Sequence, residues 1–467
     1  MLTRIEIDGF KTFRSFSLDV PPFLVIIGRN AAGKSNLFDA LQFLRLITDG
    51  SLLEASQHMR GDLAELFHHR VDGSRMSRMT FAAEVLLDPT VTDAFGDTRP
   101  VNHTRLRYEI ALELRPAGRG DRPYVAEESV RLIRQGADQW MRRHFPGAED
   151  RKNLVTYSNR TSDLLVTIED EARGSVFRLH PDGRQGRPRM LPAQEATATV
   201  LSSLTTVTEF PMLYALKQEL GSWRLLHLDP TALRAPSSYD DPDTLASNGA
   251  NLANTLRRIV DQTATEDRPE GVLADLAADL AAVIPEVSGV ELDDDPGRRQ
   301  RQVVVRTRDE APFSARVASD GTLRAIALLI ALYDPLGPGM VCFEEPENGI
   351  YPQRLAQFVA HLRNLVWRKL AAQQEHSRVP LTQLLLSSHS PTILGALRSG
   401  TERPGSIRGD AVFLDTLTQI HPGEPKSRVT RTRQIAATRQ PALDEPFGSV
   451  VSPAEIAEFE VLDRLAV

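Results

Sequence analysis

Residues 23–36 read FLVIIGRNAAGKSN, and this stretch decides the fold. The run from Phe23 to Ile27 has the length and β-branched character of a buried strand, and Gly28 to Ser35 fits the pattern G-x-x-x-x-G-K-S. Apolar residues at mostly three- and four-residue spacing follow, as in an amphipathic helix: Leu37, Leu41, Phe43, Leu44 and Ile47. Strand, glycine-rich loop and helix in this order predict a loop that binds the phosphates of a nucleoside triphosphate.

This loop offers several kinds of group to a phosphate. Its glycines let backbone N–H groups turn inward, and the helix N-terminus adds partial positive charge. The Lys34 ammonium can reach the β- and γ-phosphates, and the Ser35 hydroxyl can bind Mg²⁺. We therefore expect nucleotide contacts from Asn30, Ala31, Ala32, Gly33, Lys34, Ser35 and Asn36, and a catalytic role for Lys34.

The composition excludes several classes of protein. At 467 residues the chain is long enough for roughly two to four structural units. Its net charge of −7 gives no overall basic signature of nucleic-acid binding. The single cysteine, Cys342, excludes an intramolecular disulfide and fits a reducing compartment. No apolar run approaches the roughly 20 residues of a membrane span, so we expect a cytoplasmic protein without a membrane segment.

A second apolar strand ends in two acids far along the chain. Residues 340–343 read MVCF, and Glu344 and Glu345 follow directly. If this strand ends beside the phosphate loop, Glu344 can serve Mg²⁺ and Glu345 can polarise the attacking water. Both ends of the chain would then contribute strands to one sheet, with residues 303–305 and 384–386 as further strands.

Two further motifs accompany these acids. Ser319-Asp320-Gly321-Thr322 opens a helical pattern, and its N-terminus can both be capped by a side chain and receive a phosphate from another subunit. We therefore place Ser319 and Gly321 among the nucleotide-binding residues. His389 follows the predicted strand at 384–386, from where it can reach a γ-phosphate in a catalytic role.

The order of these motifs resembles that of ABC-type ATPases of the SMC/RecF kind, and within them the compact OLD-like ATPases of prokaryotic defence systems. Gly28–Ser35 is similar to their Walker A loop, residues 319–322 to their signature, and residues 344–352 to their Walker B motif and D-loop. His389 is similar to their switch histidine. Residues 5–13, 225–230 and 248–252 also resemble family landmarks. The chain departs from the pattern at Asp320 and Glu344, and it shows no convincing Q-loop glutamine.

The resemblance implies an α/β fold: a split ABC-type ATPase head with a mixed central sheet, an antiparallel β subdomain and an inserted helical region. We place the first part of the head at 1–75, the β subdomain at 76–185 and the helical insertion at 186–300. The second part of the head is expected at 301–400 and a strand and helix extension at 401–467.

In this family two heads sandwich ATP between the Walker A loop of one subunit and the signature of the other. The resemblance therefore implies a slow ATPase with ATP and Mg²⁺ as cofactors, acting as an ATP-gated homodimer or larger homo-oligomer. Residues 390–467 show no Asp-x-Asp of a Toprim nuclease, so we expect a separately encoded effector in antiphage defence.

Two alternatives remain. One is a DNA-repair ATPase of RecF type that binds DNA directly. The other is a nuclease with an unrecognised site in residues 400–467. The basic, alternating segment 426–433 lies there and is interpreted as a solvated edge strand guarded by charge, and residues 292–301 as a solvated charged loop.

Overall fold

The computed structural model describes residues 1–118, 120–147, 151–183, 187–337, 339–375, 381–390, 410–420, 425–435 and 450–452, with 393, 397, 455, 456 and 458. In this part of the chain the strands are β1 (Leu2–Asp8), β2 (Phe16–Asp19), β3 (Phe23–Gly28), β4 (Arg78–Leu86), β5 (Thr90–Thr92), β6 (Thr98–Pro100), β7 (Arg105–Ala117), β8 (Gly120–Leu132), β9 (Leu165–Asp170), β10 (Gly174–Leu179), β11 (Arg189–Pro192), β12 (Arg224–Leu226), β13 (Ser237–Ser238), β14 (Val287–Asp295), β15 (Gln300–Thr307), β16 (Phe313–Ser314), β17 (Gly339–Glu344), β18 (Thr382–Ser388), β19 (Ala411–Gln419), β20 (Ser427–Ile435) and β21 (Val450–Val451).

The helices in the same part of the chain are α1 (Lys34–Leu46), α2 (Leu52–Gln57), α3 (Leu63–Leu66), α4 (Gln139–His144), α5 (Pro211–Gly221), α6 (Pro230–Arg234), α7 (Leu252–Thr263), α8 (Leu273–Val283), α9 (Asp320–Leu332) and α10 (Pro352–Glu375). Single turns of 3₁₀-helix lie at Leu201–Ser203 and Ala315–Val317. None of these helices is long and apolar enough to cross a bilayer.

A seven-stranded mixed sheet contains the strand before the phosphate loop. Its order is β12-β17-β18-β3-β19-β20-β21. The strands from β12 to β19 run parallel, β20 is antiparallel to β19, and β21 is parallel to β20. Every residue of β3 and of β18 is buried, as expected for apolar strands covered on both faces. Both ends of the chain therefore contribute to one sheet, which confirms the predicted split head.

A second, antiparallel sheet has eight strands in the order β11-β10-β9-β8-β7-β4-β1-β2. One of its faces shares a hydrophobic core with β3 and α1. The rings of Phe10, Phe43 and Phe81 meet in this core, with centroids 5.4 to 6.0 Å apart. Strands β1 and β2, from the predicted first part of the head, belong to this sheet.

A third, smaller sheet contains two segments that the sequence analysis places differently. It joins β13, β15 and β14, with β16 on β15. The strand predicted at 303–305 lies here in β15 and not in the central sheet. Within the segment 292–301 only residues 296–299 form a turn, because its ends are the paired arms of the β14–β15 hairpin. Its charges pair across the hairpin, as where Arg301 Nε donates to Asp294 at 2.5 Å.

The basic segment 426–433 forms most of β20 and pairs with β19 along its length, whereas the short β21 pairs only with Gln434 and Ile435 beyond it. The other side of the segment is only partly solvated, because the Thr430 N–H donates to the Thr12 carbonyl at 2.8 Å. Two of its arginines pair with acids: Arg431 with Asp415 at 3.4 Å and Arg433 with Glu455 at 2.9 Å. Most of the remaining tail lies outside the described residues.

Candidate functional site

The carboxyl ends of β3, β17 and β18 meet at one edge of the central sheet. The three strands are parallel neighbours, with Glu344 opposite Ser387 and Ser388 opposite Ile27. The phosphate loop follows β3, the predicted acids follow β17, and His389 follows β18. Ligands of open α/β sheets bind at such an edge, so Lys34, Ser35, Glu344, Glu345 and His389 come together where the prediction required them.

The phosphate loop has the conformation of an anion cradle. Ala31 and Gly33 have positive φ values of 61° and 96°, and Gly33 directly precedes α1. Asn30 and Ala31 are exposed, whereas Ala32 and Gly33 are buried. The carboxamide of Asn36 donates to the Thr12 hydroxyl at 3.0 Å, so this side chain is engaged within the protein.

Lys34 is folded over the loop. Its side chain is 9% exposed, and Nζ donates to the carbonyl oxygens of Gly28 at 2.6 Å and Arg29 at 3.0 Å. Burial lowers the pKa of this ammonium, against the opposing charges of Glu345, Glu347 and Glu344. Those three carboxylates act on Lys34 because the loop and the end of β17 are adjacent.

Glu344 lies beside the Ser35 hydroxyl, which is one of the groups that lower the pKa of its carboxyl. On the other side, His227 Nδ1 is 3.3 Å from Glu344 Oε2. Burial favours the neutral acid, but the hydrogen bonds from His227 and Ser35 outweigh it, and the pKa of Glu344 is lowered. Its Oε1 is buried without a hydrogen-bond partner. The Ser35 hydroxyl and the Glu344 carboxylate, with its unsatisfied Oε1, are oxygen donors of the kind that Mg²⁺ prefers.

Glu345 is held in an unusual backbone conformation. Its φ is 53°, and its N–H donates to the Ser387 carbonyl at 2.8 Å. The Asn348 carboxamide donates to Glu345 Oε2 at 2.7 Å, and His389 Nδ1 lies 3.4 Å from Oε1. The side chain is 44% exposed, so the carboxylate is both oriented by its neighbours and open to solvent.

Glu347 connects the turn after β17 to the end of β18. The Ser388 hydroxyl donates to Glu347 Oε1 at 2.6 Å, and the backbone N–H of His389 donates to the same oxygen at 3.3 Å. His389 Nδ1 lies 3.5 Å from it. Glu347 therefore fixes the backbone that presents His389.

The motif at 319–322 starts α9, as predicted. The Ser319 hydroxyl accepts a hydrogen bond from the Thr322 N–H at 3.2 Å and caps the helix. Ser319 is exposed, but Gly321 is buried against the turn that follows Glu345. A Cβ atom at Gly321 would lie 1.9 Å from the Gly349 carbonyl oxygen. No described hydrogen bond or ion pair joins Ser319 or Gly321 to the phosphate loop of the same chain.

Some residues of this site had no predicted role. His227, Glu347 and Asn348 lie within segments that resemble family landmarks, but each contact depends on the fold. Arg60 was missed altogether: its Nη2 donates to the Ser35 carbonyl at 3.2 Å while Asp39 binds its guanidinium. A single histidine or arginine belongs to no spaced motif that a sequence pattern could reveal. His227 reaches the site only because β12 pairs with β17, and Arg60 only because it lies beside α1 in the fold.

The segment 248–252 has a structural role. Asn251 Nδ2 donates to the carbonyls of Pro242 at 2.6 Å and Thr244 at 2.7 Å, and Asn251 Oδ1 accepts from Ala246 at 2.8 Å. Just after this loop, the carbonyl oxygen of Ser247 accepts a hydrogen bond from the His227 N–H at 2.8 Å. The asparagine thus stabilises the loop that holds the partner of Glu344.

Comparison with known proteins gives one family. A family model described as "AAA domain, putative AbiEii toxin, Type IV TA system" matches residues 23–88 and 216–395, more than half of the chain. A stretch of 57 residues is 42% identical to the chromosome partition protein Smc of Methanocaldococcus jannaschii and covers 12% of this chain and 5% of that protein.

Solved structures give distant matches. The SmcHead bound to the C-winged helix domain of ScpA has 11% identity and a TM-score of 0.46, over 93% of this chain and 97% of its own. The Smc head domain with an extended coiled coil from Pyrococcus furiosus, bound to the C-terminal domain of ScpA, has 10% identity and a TM-score of 0.42, over 100% and 99%. The SMC head domain from Thermotoga maritima has 11% identity and a TM-score of 0.36, over 93% and 99%.

Proposed function

The chain belongs to the family described as AAA domain, putative AbiEii toxin, Type IV TA system, and from this premise we propose that it is an ATP-gated switch that hydrolyses ATP between two copies of itself. Membership agrees with the predicted resemblance to ABC-type ATPases of the SMC and RecF kind. The observation that carries the proposal is the meeting of Lys34, Glu344, Glu345 and His389 at one sheet edge, from opposite ends of the chain.

Each residue of the site has its own role in ATP hydrolysis, according to its position. The loop amides and Lys34 bind the phosphates and withdraw charge from them. Ser35 and Glu344 would hold Mg²⁺, which would supply neutralisation of charge on the phosphate oxygens. Glu345 orients the attacking water and accepts its proton, and His389 contacts the γ-phosphate beside it. Glu347 and Asn348 keep these last two side chains in place.

ATP turnover of the purified chain tests this assignment. We expect slow, Mg²⁺-dependent release of phosphate. We also expect Lys34→Ala to weaken ATP binding at least tenfold, because the ammonium is the main cation at the phosphates. The exposed Lys152→Ala is the matched control and should bind as the wild type does. Equal ATP affinity of Lys34→Ala and wild type would exclude the phosphate loop as the binding site.

The pairing of two copies is supported by the surface around the capped start of α9. Ser319 and Asp320 are exposed, and Val317 and Tyr351 beside them are 73% and 74% exposed. A helix N-terminus flanked by uncovered apolar side chains is suited to cover the γ-phosphate of another copy. In this arrangement Ser319 completes the site of the partner, and ATP holds the two heads together.

We further propose that this switch works in antiphage defence with a separately encoded effector. Among the described residues no group of three or more His, Cys, Asp or Glu side chains is placed to hold a metal ion, which gives no support to a nuclease centre there. Co-purification of the tagged chain with the product of an adjacent gene tests the effector. Isolation of the chain alone, with no change in phage sensitivity on deletion, would exclude the defence role.

Direct action on DNA is the competing function. Two of the three arginines of β20, the most basic strand, Arg431 and Arg433, are paired with Asp415 and Glu455, which reduces the charge that this strand offers to phosphates. We therefore expect ATP turnover to be the same with and without DNA. A salt-sensitive increase in turnover on adding duplex DNA would favour the DNA-repair function instead.

A further inference from the structure

The strand β20 passes directly behind the phosphate loop. Its Thr430 is 1% exposed and lies 398 positions from Ala32, yet Thr430 Oγ1 donates to the Ala32 carbonyl oxygen at 3.1 Å. The N–H of Thr430 also donates to the Thr12 carbonyl at 2.8 Å. The loop between β3 and α1 is therefore bound by residues near both ends of the sequence.

The side-chain hydrogen bonds here form a chain with a fixed direction. Asn36 Nδ2 donates to Thr12 Oγ1 at 3.0 Å, and Thr12 Oγ1 and Thr430 Oγ1 are 2.8 Å apart. Because the single hydroxyl proton of Thr430 goes to Ala32, the Thr12 hydroxyl must be the donor to Thr430. The chain runs from Asn36 in α1, through Thr12 and Thr430, back to Ala32 in the loop.

The packing of Thr430 against Gly33 leaves no space for a side chain at position 33. A Cβ atom at Gly33 would lie 2.2 Å from Thr430 Oγ1 and 3.0 Å from its Cγ2. Both the hydroxyl and the methyl group of Thr430 therefore rest on the Gly33 backbone. The positive φ of 96° at Gly33 and this contact together explain why glycine is needed here.

The peptide that Thr430 binds is one that faces the phosphates. In a trans peptide the C=O and N–H groups point in opposite directions. Fixing the Ala32 carbonyl toward Thr430 therefore turns the Gly33 N–H to the other side, into the cradle of the loop. This amide is one of the donors that an anion meets at the helix N-terminus.

We propose that Thr430 is a positioning residue of the nucleotide site: it binds the Ala32 carbonyl and so aims the Gly33 amide at the bound phosphates. The strand at 427–435 is then a working part of the ATP site and not a peripheral tail. The role rests on the proposed nucleotide binding, but the loop geometry that Thr430 imposes does not depend on ATP being present.

The test compares Thr430→Val with Thr430→Ser. Valine keeps the shape and removes both hydroxyl hydrogen bonds, whereas serine keeps the hydroxyl and removes the methyl group. We expect Thr430→Val to bind ATP about tenfold more weakly, or about 1.4 kcal/mol, and Thr430→Ser to stay within about threefold of wild type. Thr432→Val is the matched control, because its hydroxyl is bonded only to the Ser17 carbonyl at 3.4 Å.

A second measurement separates this proposal from nucleotide binding itself. Hydrogen exchange of a peptide covering residues 30–36, measured without ATP, should be faster in Thr430→Val than in wild type and Thr432→Val, since the loop loses its anchor. Failure of the wild type to bind ATP would contradict the proposed function alone. Unchanged exchange and unchanged ATP affinity in folded Thr430→Val would overturn the role of Thr430.

Discussion

At the scale of one residue, the backbone of Glu345 is the feature that most supports the proposed catalytic role of this sheet edge. A non-glycine residue with φ of 53° costs of the order of 1 kcal/mol, and such strain persists only where the surroundings impose it. Here the Ser387 carbonyl holds its N–H and Asn348 holds its carboxylate. The strained position therefore carries an oriented, solvent-accessible acid, as the proposed role in orienting the attacking water requires.

Replacing this acid by its amide tests its role. Glu345→Gln keeps the size and an oxygen for the Asn348 hydrogen bond but cannot accept a proton. We expect phosphate release to fall by roughly 10²- to 10⁴-fold while ATP affinity changes little. The exposed Glu169→Gln is a control with the same change of charge. Turnover of Glu345→Gln at the wild-type rate would refute Glu345 as the base.

His227 gives a prediction about Mg²⁺. Its hydrogen bond helps to hold Glu344 as the carboxylate, so His227→Ala should weaken the metal site and not the phosphate loop. We expect the Mg²⁺ concentration that gives half-maximal ATP binding to rise roughly tenfold. ATP affinity measured in excess chelator should be unchanged. The exposed His58→Ala serves as control, and an unaltered Mg²⁺ requirement in His227→Ala would contradict the role.

The sequence predicted the residues of the site that belong to short motifs. Lys34, Ser35, Glu344, Glu345 and His389 follow strands that the apolar pattern identifies, and parallel pairing brings strand ends together. Thr430, Arg60 and His227 could not be found in this way, because each acts across a long stretch of chain; Thr430 and Ala32 are 398 positions apart. Such contacts depend on the order of strands, which local patterns do not encode.

At the scale of elements, the start of α9 is coupled to the turn after β17. Gly321 and Gly349 pack backbone to backbone, and Asn348 of the same turn binds Glu345. Under the proposed function, movement of α9 on binding of a phosphate at Ser319 would therefore be transmitted through this turn to Glu345. Two small residues make this contact, since any side chain at Gly321 would meet the Gly349 carbonyl.

Adding one methyl group tests the coupling. The Cβ of Gly321→Ala would lie 1.9 Å from the Gly349 oxygen, so the turn must shift. We expect a loss of about 1–3 kcal/mol in the free energy of unfolding and a clear fall in ATP turnover, with ATP affinity of the phosphate loop retained. Gly136→Ala, which has open space at its Cβ, is the control. Normal turnover in Gly321→Ala would show that the two elements are not coupled.

Element types were easier to predict than element partners. The helix after the phosphate loop follows apolar spacing and forms where expected, as α1. The charge of segment 292–301 predicts a solvated loop, but only residues 296–299 form a turn, and Asp294 and Arg301 at its ends neutralise each other across the β14–β15 hairpin.

At the scale of the whole molecule, a buried acid joins the antiparallel sheet to the chain leading into the helical region. Glu128 of β8 accepts hydrogen bonds from the Val200 N–H at 2.6 Å and from the Tyr108 hydroxyl at 3.2 Å. Burial raises its pKa to about 7, despite the opposing hydrogen bonds. The folded state therefore holds this proton more tightly than the unfolded chain does.

Stability should accordingly fall as pH rises through this range. A raised pKa favours the folded state most below pH 4.5, and the benefit is lost by about pH 7. We expect Glu128→Gln, which cannot ionise, to gain about 2–3 kcal/mol of unfolding free energy relative to wild type between pH 4.5 and pH 8. Glu127→Gln, on the exposed face of the same strand, should show no such gain. Denaturant unfolding at several pH values measures this difference in unfolding free energy. Parallel pH profiles of wild type and Glu128→Gln would contradict the raised pKa of Glu128.

The central claim is that two copies close on ATP and reopen when it is hydrolysed, and the mass of the Glu345→Gln protein in solution tests it most directly. With ATP and Mg²⁺, light scattering should give twice the 51.8 kDa of one chain, because ATP is bound but not turned over. Without nucleotide, or with Lys34→Ala added, the mass should be that of one chain. A single-chain mass for Glu345→Gln at saturating ATP would contradict the account.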